Sequence, residues 1–223
     1  MSKLWIFGPS ACTAYGLAKT EKAWPELLAE KLNCDFSNIA DIAADNLLIY
    51  HRIISSLNQI NDNDIVVVGW SHPNRKTFVA DQDNYLHQSI IAGRSIVYDT
   101  DPVFFRSDNP NNDDPLEKLK FLKPKDQGVK YFDDWFKNYF SEYESILNFQ
   151  AYIDSIEQKI PGLYIPFYFS KESIKGIKVD PNSLFYLEFI VDNQIYISEN
   201  NMHANAHGHQ MIANYLYNQV KTG

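Results

Sequence analysis

A serine near the amino end and a histidine near the carboxyl end are the residues of this chain best suited to do chemistry together. Ser10 follows the apolar run Leu4-Trp5-Ile6-Phe7 and the turn residues Gly8-Pro9. His203 lies in Asn200-Asn201-Met202-His203-Ala204-Asn205, ahead of the apolar-periodic segment Met211-Ile212-Ala213-Asn214-Tyr215-Leu216. A serine hydroxyl is a weak nucleophile until a neighbouring base takes its proton, and a neutral imidazole suits that task near neutral pH. A strand-to-helix turn exposes such a hydroxyl at the carboxyl edge of a sheet, with its own backbone N–H able to face an oxyanion. Taken singly, each residue has a plainer reading. A serine after a strand commonly caps a helix, and a histidine before one commonly caps or packs.

The elements that must position this pair follow an α/β rhythm. Leu4 to Phe7 reads as a buried strand ended by Gly8-Pro9. Ala14 to Leu32 has helical spacing at Leu17, Trp24, Leu27, Leu28 and Leu32, and Pro25 predicts that its regular part begins near Trp24. Phe36 to Ala40 is a weaker strand, and Asn46 to Leu57 an amphipathic helix. Ile65-Val66-Val67-Val68-Gly69-Trp70 is a continuous β-branched run, as expected of a parallel strand covered on both faces. This opening predicts a doubly wound α/β layer.

From about His72 to Lys130 the rhythm breaks into polar, turn-rich sequence, which predicts a long middle insertion with some structure near Phe78 and Ile96-Val97-Tyr98. Tyr131 to Ile160 is helical and densely aromatic, a stripe that reads first as core. Gly162 to Phe167 is a fourth strand, and Leu184 to Ile190 with Gln194 to Ile197 reads as helix plus short strand. Met211 to Leu216 belongs to the closing helix.

Composition narrows the function classes. The 223 residues are 45% hydrophobic, enough for one sizeable core, and a single domain over 1–223 is expected. A formal charge of −8 with no run of lysine or arginine argues against a nucleic-acid surface. Two cysteines, Cys12 and Cys34, make neither a metal pattern nor a disulfide framework and read as reduced thiols. The amino end enters a strand at once and no segment reaches bilayer-spanning length, so the expected protein is soluble and cytoplasmic. His203, His207 and His209 fall within seven positions, but the nearest acidic residue is Glu199, so no metal is expected. A phosphate cradle at Gly8-Pro9-Ser10-Ala11-Cys12-Thr13 lacks the glycine density and Lys-Ser/Thr ending of a P-loop. No cofactor is expected.

Together these blocks resemble the SGNH (GDSL-type) hydrolases. Gly8-Pro9-Ser10 stands at that family's Gly-Asp-Ser turn, and Asn200-Asn201-Met202-His203-Ala204-Asn205 with Gly208-His209 follows its Asp-x-x-His-Pro-Asn block. Asn46, after Ala43-Ala44-Asp45, is similar to the end of the second block, and Val66 to Ser71 takes the place of the third, with Arg75 beyond. The resemblance implies a flavodoxin-like three-layer α/β/α sandwich that hydrolyses a small acyl ester or acylated carbohydrate. Carried over by residue, Ser10 is the nucleophile, His203 the base and Asn200 its orienting partner. The N–H of Ser10, an N–H near Ala44 and the side chain of Ser71 then face the oxyanion, with Asn46 and Arg75 beside them. Four positions depart from the pattern: Pro9 and Asn200 each replace an aspartate, an alanine replaces the second-block glycine, and Ser71 replaces an asparagine. A scaffold of the same fold that binds a ligand or protein without turnover is the alternative.

Overall fold

A computed structural model of the chain describes residues 2–42, 44–73, 75–79, 85–91, 94–99, 141–180, 182–198 and 201–222. Five strands form one parallel sheet: β1 (Lys3–Phe7), β2 (Asp35–Asn38), β3 (Ile65–Trp70), β7 (Leu163–Tyr168) and β8 (Leu184–Phe185). Their order is β2-β1-β3-β7-β8, the doubly wound flavodoxin-like arrangement. Between β3 and β7, three further strands, β4 (Lys76–Val79), β5 (Tyr85–Ile91) and β6 (Arg94–Asp99), make an antiparallel sheet of their own. The sequence signals at Phe78 and at 96–98 fall on β4 and β6, whereas β5 had no expectation attached to it. The rest of the expected insertion, and the start of the helix expected from Tyr131, lie outside the described residues.

The sheet is covered on both faces because its strands alternate between two cores. Leu4, Ile6, Val67, Ile165 and Phe167 pack under α1 (Trp24–Leu32) and the closing helix α5 (Ala206–Thr222). Trp5, Phe7, Val66, Val68 and Trp70 face α2 (Asn46–Ser56) and α3 (Glu142–Lys159) on the other side. All six residues of β3 are buried, which is why that strand reads as an unbroken apolar run rather than an alternating one. The fold is thus the three-layer α/β/α sandwich expected from the sequence.

Helix starts are set by identifiable groups. Asp45 caps α2, its carboxylate accepting from Leu48 N–H at 2.8 Å, and Ser141 caps α3 in the same way from Glu144. Trp24 opens α1 with Pro25 beside it, as the sequence predicted. Ala23, the residue before α1, gives no side-chain cap; instead Nδ1 of the buried His209 on α5 accepts from Trp24 N–H at 3.0 Å. This bond ties the first helix to the last across 185 residues.

Candidate active site

The carboxyl edge of the sheet gathers the chemistry-bearing side chains. β1 and β3 are in parallel register, Phe7 opposite Val68, so Ser10 and Ser71 each stand three residues beyond a paired position at this edge. Ser10 begins a single 3-10 turn, Ser10–Cys12, and an N–H at the start of such a turn has no partner within it. Gly8 is needed just before it, because a Cβ there would press on the Cys12 thiol and come within 2.9 Å of the Gly69 carbonyl oxygen. The turn is anchored from three directions. Trp24 Nε1 donates to Ala11 O at 2.7 Å, Asn38 Nδ2 to Cys12 O at 2.8 Å, and Thr13 N–H to Ser10 O at 3.0 Å. Burial pushes the Cys12 thiol well above its ordinary range, so it packs as a small apolar group.

His203 arrives on a hairpin. β9 (Tyr196–Ser198) and β10 (Asn201–Ala204) pair antiparallel with a register shift between Asn201 and Ala204. Tyr186, at the start of α4 (Tyr186–Asp192), fixes the hairpin by accepting from Ala204 N–H at its phenolic oxygen, 2.8 Å away. The histidine therefore sits on a strand, and the helix behind it begins at Ala206, five residues ahead of the apolar-periodic segment that marked it.

The two ends of the chain meet here. His203 Nε2 and Ser10 Oγ are 2.8 Å apart, and His203 Nδ1 and Asn201 Oδ1 are also 2.8 Å apart. An amide oxygen only accepts, so Nδ1 carries the ring proton and Nε2 offers its lone pair to the serine hydroxyl. That is the tautomer a general base requires. The ring has its charged form disfavoured by burial first and then by Arg75 and His209, which holds its pKa down at about 4. It is a neutral base across the physiological range.

The partner of the ring is Asn201, whereas the sequence reading gave that place to Asn200. Asn200 lies outside the described residues. The reason for the difference is periodicity: side chains on a strand share a face every second residue, which pairs position 203 with 201. Among the described residues the group at Nδ1 is this neutral amide, which orients the imidazole without bringing a charge to it.

The remaining sequence-designated residues group around the ends of β2 and β3. Ala44 N–H donates to Asp41 O at 3.3 Å, which engages the backbone donor assigned to an oxyanion. Asn46 clamps the backbone of Ser71: its Oδ1 accepts from Ser71 N–H at 2.7 Å and its Nδ2 donates to Ser71 O at 3.0 Å. The Ser71 hydroxyl is buried with no hydrogen-bond partner among the described residues. Arg75 is buried; its N–H closes a turn onto His72 O at 3.0 Å and its Nη1 reaches Ala44 O at 3.5 Å.

Sequence reasoning passed over four residues that shape the site: Asn38, Asn201, His209 and Tyr15, whose ring lies against His203 with centroids 4.5 Å apart. Asn201 is selected over its neighbour by the strand it lies on, and Asn38 by the end of β2, which falls two residues before the expected end of that strand. His209 was legible only as part of the Gly208-His209 pair and the histidine cluster, and Tyr15 carried no local signal. His203, His207 and His209 do not converge: the first meets Ser10, the second is exposed, and the third meets Trp24.

No protein-family model matches the sequence, and no curated protein matches it. Solved structures do. A Bacillus subtilis protein, YxiM, is similar at 13% identity and a TM-score of 0.51, over 99% of this chain and 56% of its own. The psychrotrophic esterase EstA from a Pseudoalteromonas species is similar at 13% identity and a TM-score of 0.49, over 100% and 98% of the two chains. A member of the lipolytic G-D-S-L family from Veillonella parvula is similar at 11% identity and a TM-score of 0.46, over 98% and 97%. In fold, this chain is similar to the SGNH (GDSL-type) hydrolases and esterases.

Proposed function

We propose that this chain is a serine hydrolase that cleaves a small acyl ester, with an acylated carbohydrate as the substrate class to test first. The observation that carries the reading is the continuous chain Ser10 Oγ, His203 Nε2, His203 Nδ1, Asn201 Oδ1, joined at 2.8 Å on each side of the ring. In this mechanism Ser10 Oγ attacks the ester carbonyl carbon as its proton passes to Nε2. The tetrahedral oxyanion collapses with loss of the alcohol, which takes the proton back from Nε2. A water molecule then repeats the sequence on the acyl-serine, releasing the acid and restoring the dyad. Ser10 N–H and the Ser71 hydroxyl are the donors assigned to the oxyanion.

A second reading has one specific observation in its favour: the neutral amide at His203 Nδ1. A scaffold that binds an acylated ligand without turning it over would tolerate that amide. The two readings separate in one experiment. A fluorophosphonate probe labels wild-type protein at Ser10 and fails to label Ser10→Ala if the enzyme reading holds. Folded wild-type protein that takes no label leaves the binding scaffold.

A further inference from the structure

The loop from Ser10 to Gly16 folds back on the histidine that Ser10 meets. Thr13 holds the Ser10 carbonyl with both its N–H, at 3.0 Å, and its Oγ1, at 2.8 Å. Tyr15 N–H in turn donates to Thr13 Oγ1 at 3.2 Å. Gly16 then adopts φ of 81°, and a side chain there would run into Ile197 of the hairpin that carries His203. The reversal brings the Tyr15 ring onto the imidazole, centroids 4.5 Å apart and planes tilted by 46°.

The groups acting on that imidazole come from four elements. Ser10 and Tyr15 belong to the loop, Asn201 to the hairpin, Arg75 to the segment after β3 and His209 to α5. Arg75 and His209 both disfavour a positive ring, and Asn201 is neutral. Among the described residues, an imidazolium formed on serine attack therefore has an amide where a Ser-His-Asp arrangement has a carboxylate. An aromatic face carries a negative quadrupole and attracts a cation within about 6 Å of its centroid.

We infer that Tyr15 is a positioning residue: its ring holds the His203 imidazole in line with Ser10, and its π face stabilises the imidazolium that appears when the serine attacks. The inference rests on the reading of Ser10 and His203 as nucleophile and base. Its test keeps the shape of the ring and changes only its electrostatics. Tyr15 is replaced by phenylalanine and then by phenylalanines of increasing fluorination, up to the pentafluoro ring. Two readouts are followed across the series: the His203 titration by imidazole NMR, and kcat and KM for p-nitrophenyl acetate.

Tyr15→Phe keeps the π face and is the reference against which the fluorinated rings are read. The pentafluoro ring is expected to lower kcat roughly tenfold at unchanged KM and to lower the His203 pKa by roughly 0.5–1 unit. Tyr15→Leu, which keeps bulk and loses the ring, should match the pentafluoro variant in both. A series that stays flat in the titration overturns the inference, and so does a Tyr15→Phe loss equal to that of Tyr15→Leu. The titration needs no turnover, so it decides the role of the ring even where the ester assay is negative and the dyad reading fails.

Discussion

Two regions at the carboxyl edge of the sheet use their hydrogen bonds to different ends. In the first, the Ser10 turn and the β9–β10 hairpin, polar side chains lead to one another: Asn201 holds the ring, and the ring meets the serine hydroxyl. In the second, the segments after β2 and β3, they lead to backbone. Asn46 clamps both polar atoms of Ser71's main chain, and Arg75 reaches the Ala44 carbonyl. The contrast teaches that a serine–histidine contact can be held in register by a neutral amide while nearby polar side chains are committed to backbone. Orientation of the ring is supplied by a neutral partner; in the proposed mechanism charge stabilisation falls to a backbone N–H, one hydroxyl and one aromatic ring.

The comparison breaks first at the dyad. Ser10→Ala and His203→Ala are each expected to lower kcat on p-nitrophenyl acetate by at least about a thousandfold, with the thermal midpoint almost unchanged. A loss in only one of the two would mean that the 2.8 Å contact between them carries no proton transfer.

The missing charge is the next largest lever. Asn201→Asp places a carboxylate against Nδ1–H, the reverse of the aspartate-to-asparagine change that costs a serine protease about ten-thousandfold. We expect kcat to rise roughly a hundredfold, since the orientation is already correct and only the electrostatic part is regained. The pH profile should move with it. In wild type the base is lost as pH falls through about 4, so activity should be level from near pH 5 upward. In Asn201→Asp the acidic limb should move to higher pH, because an adjacent negative charge favours the imidazolium. An unshifted limb would show that residue 201 does not touch the titrating ring.

Ser71→Ala sharpens the second region. Its hydroxyl is buried with no partner among the described residues, so deleting it removes an unmet polar group from the core. Stability should hold or rise slightly, while kcat falls roughly tenfold to a hundredfold if the hydroxyl serves the oxyanion. Asn46→Leu should do the opposite: it strips partners from the Ser71 N–H and carbonyl, costing on the order of 2–4 kcal/mol in urea unfolding.

Much of this arrangement was legible in the residues. The unbroken run Ile65 to Trp70 announced a strand buried on both faces, and Gly8-Pro9-Ser10 after an apolar strand announced an exposed hydroxyl at its end. Those signals are local, set by period and by turn chemistry. What escaped was non-local or masked by composition. Asn201 was hidden because Asn200-Asn201 offers two identical amides, and only the strand geometry selects between them. Ala44 was assigned a free N–H because a sequence does not display which carbonyl folds back onto it, here that of Asp41. The clamp that Asn46 puts on Ser71 was equally hidden, because it joins positions 25 apart in the sequence. His209 looked like a member of a histidine cluster, and only the packing of α5 against α1 turns its Nδ1 toward Trp24.

That last residue provides the smallest test, and it probes the frame that supports the first region. His209 is buried and accepts from Trp24 N–H, so folding requires it neutral, and burial holds its pKa at about 4 against an ordinary value of 6.5. Its folded pKa lies below the unfolded one, so the unfolded chain binds the extra proton between those values. Its contribution is therefore whole above pH 6.5 and drains away as pH falls toward 4, by about 3 kcal/mol at most. His203 drains in the same direction and the same window. His209→Leu removes one of the two titrations together with the bond to Trp24. At pH 7 it should be less stable than wild type by roughly 1–2 kcal/mol, from the unpaired Trp24 N–H. Near pH 4.5 the gap should close and begin to reverse, because wild type has by then lost about 2.5 kcal/mol through His209 while the leucine variant has no proton to take up there. Urea unfolding at pH 7, 5.5 and 4.5 reads this directly. Parallel curves would mean that His209 protonates without leaving Trp24, and that the link between the first and last helices does not depend on a neutral ring.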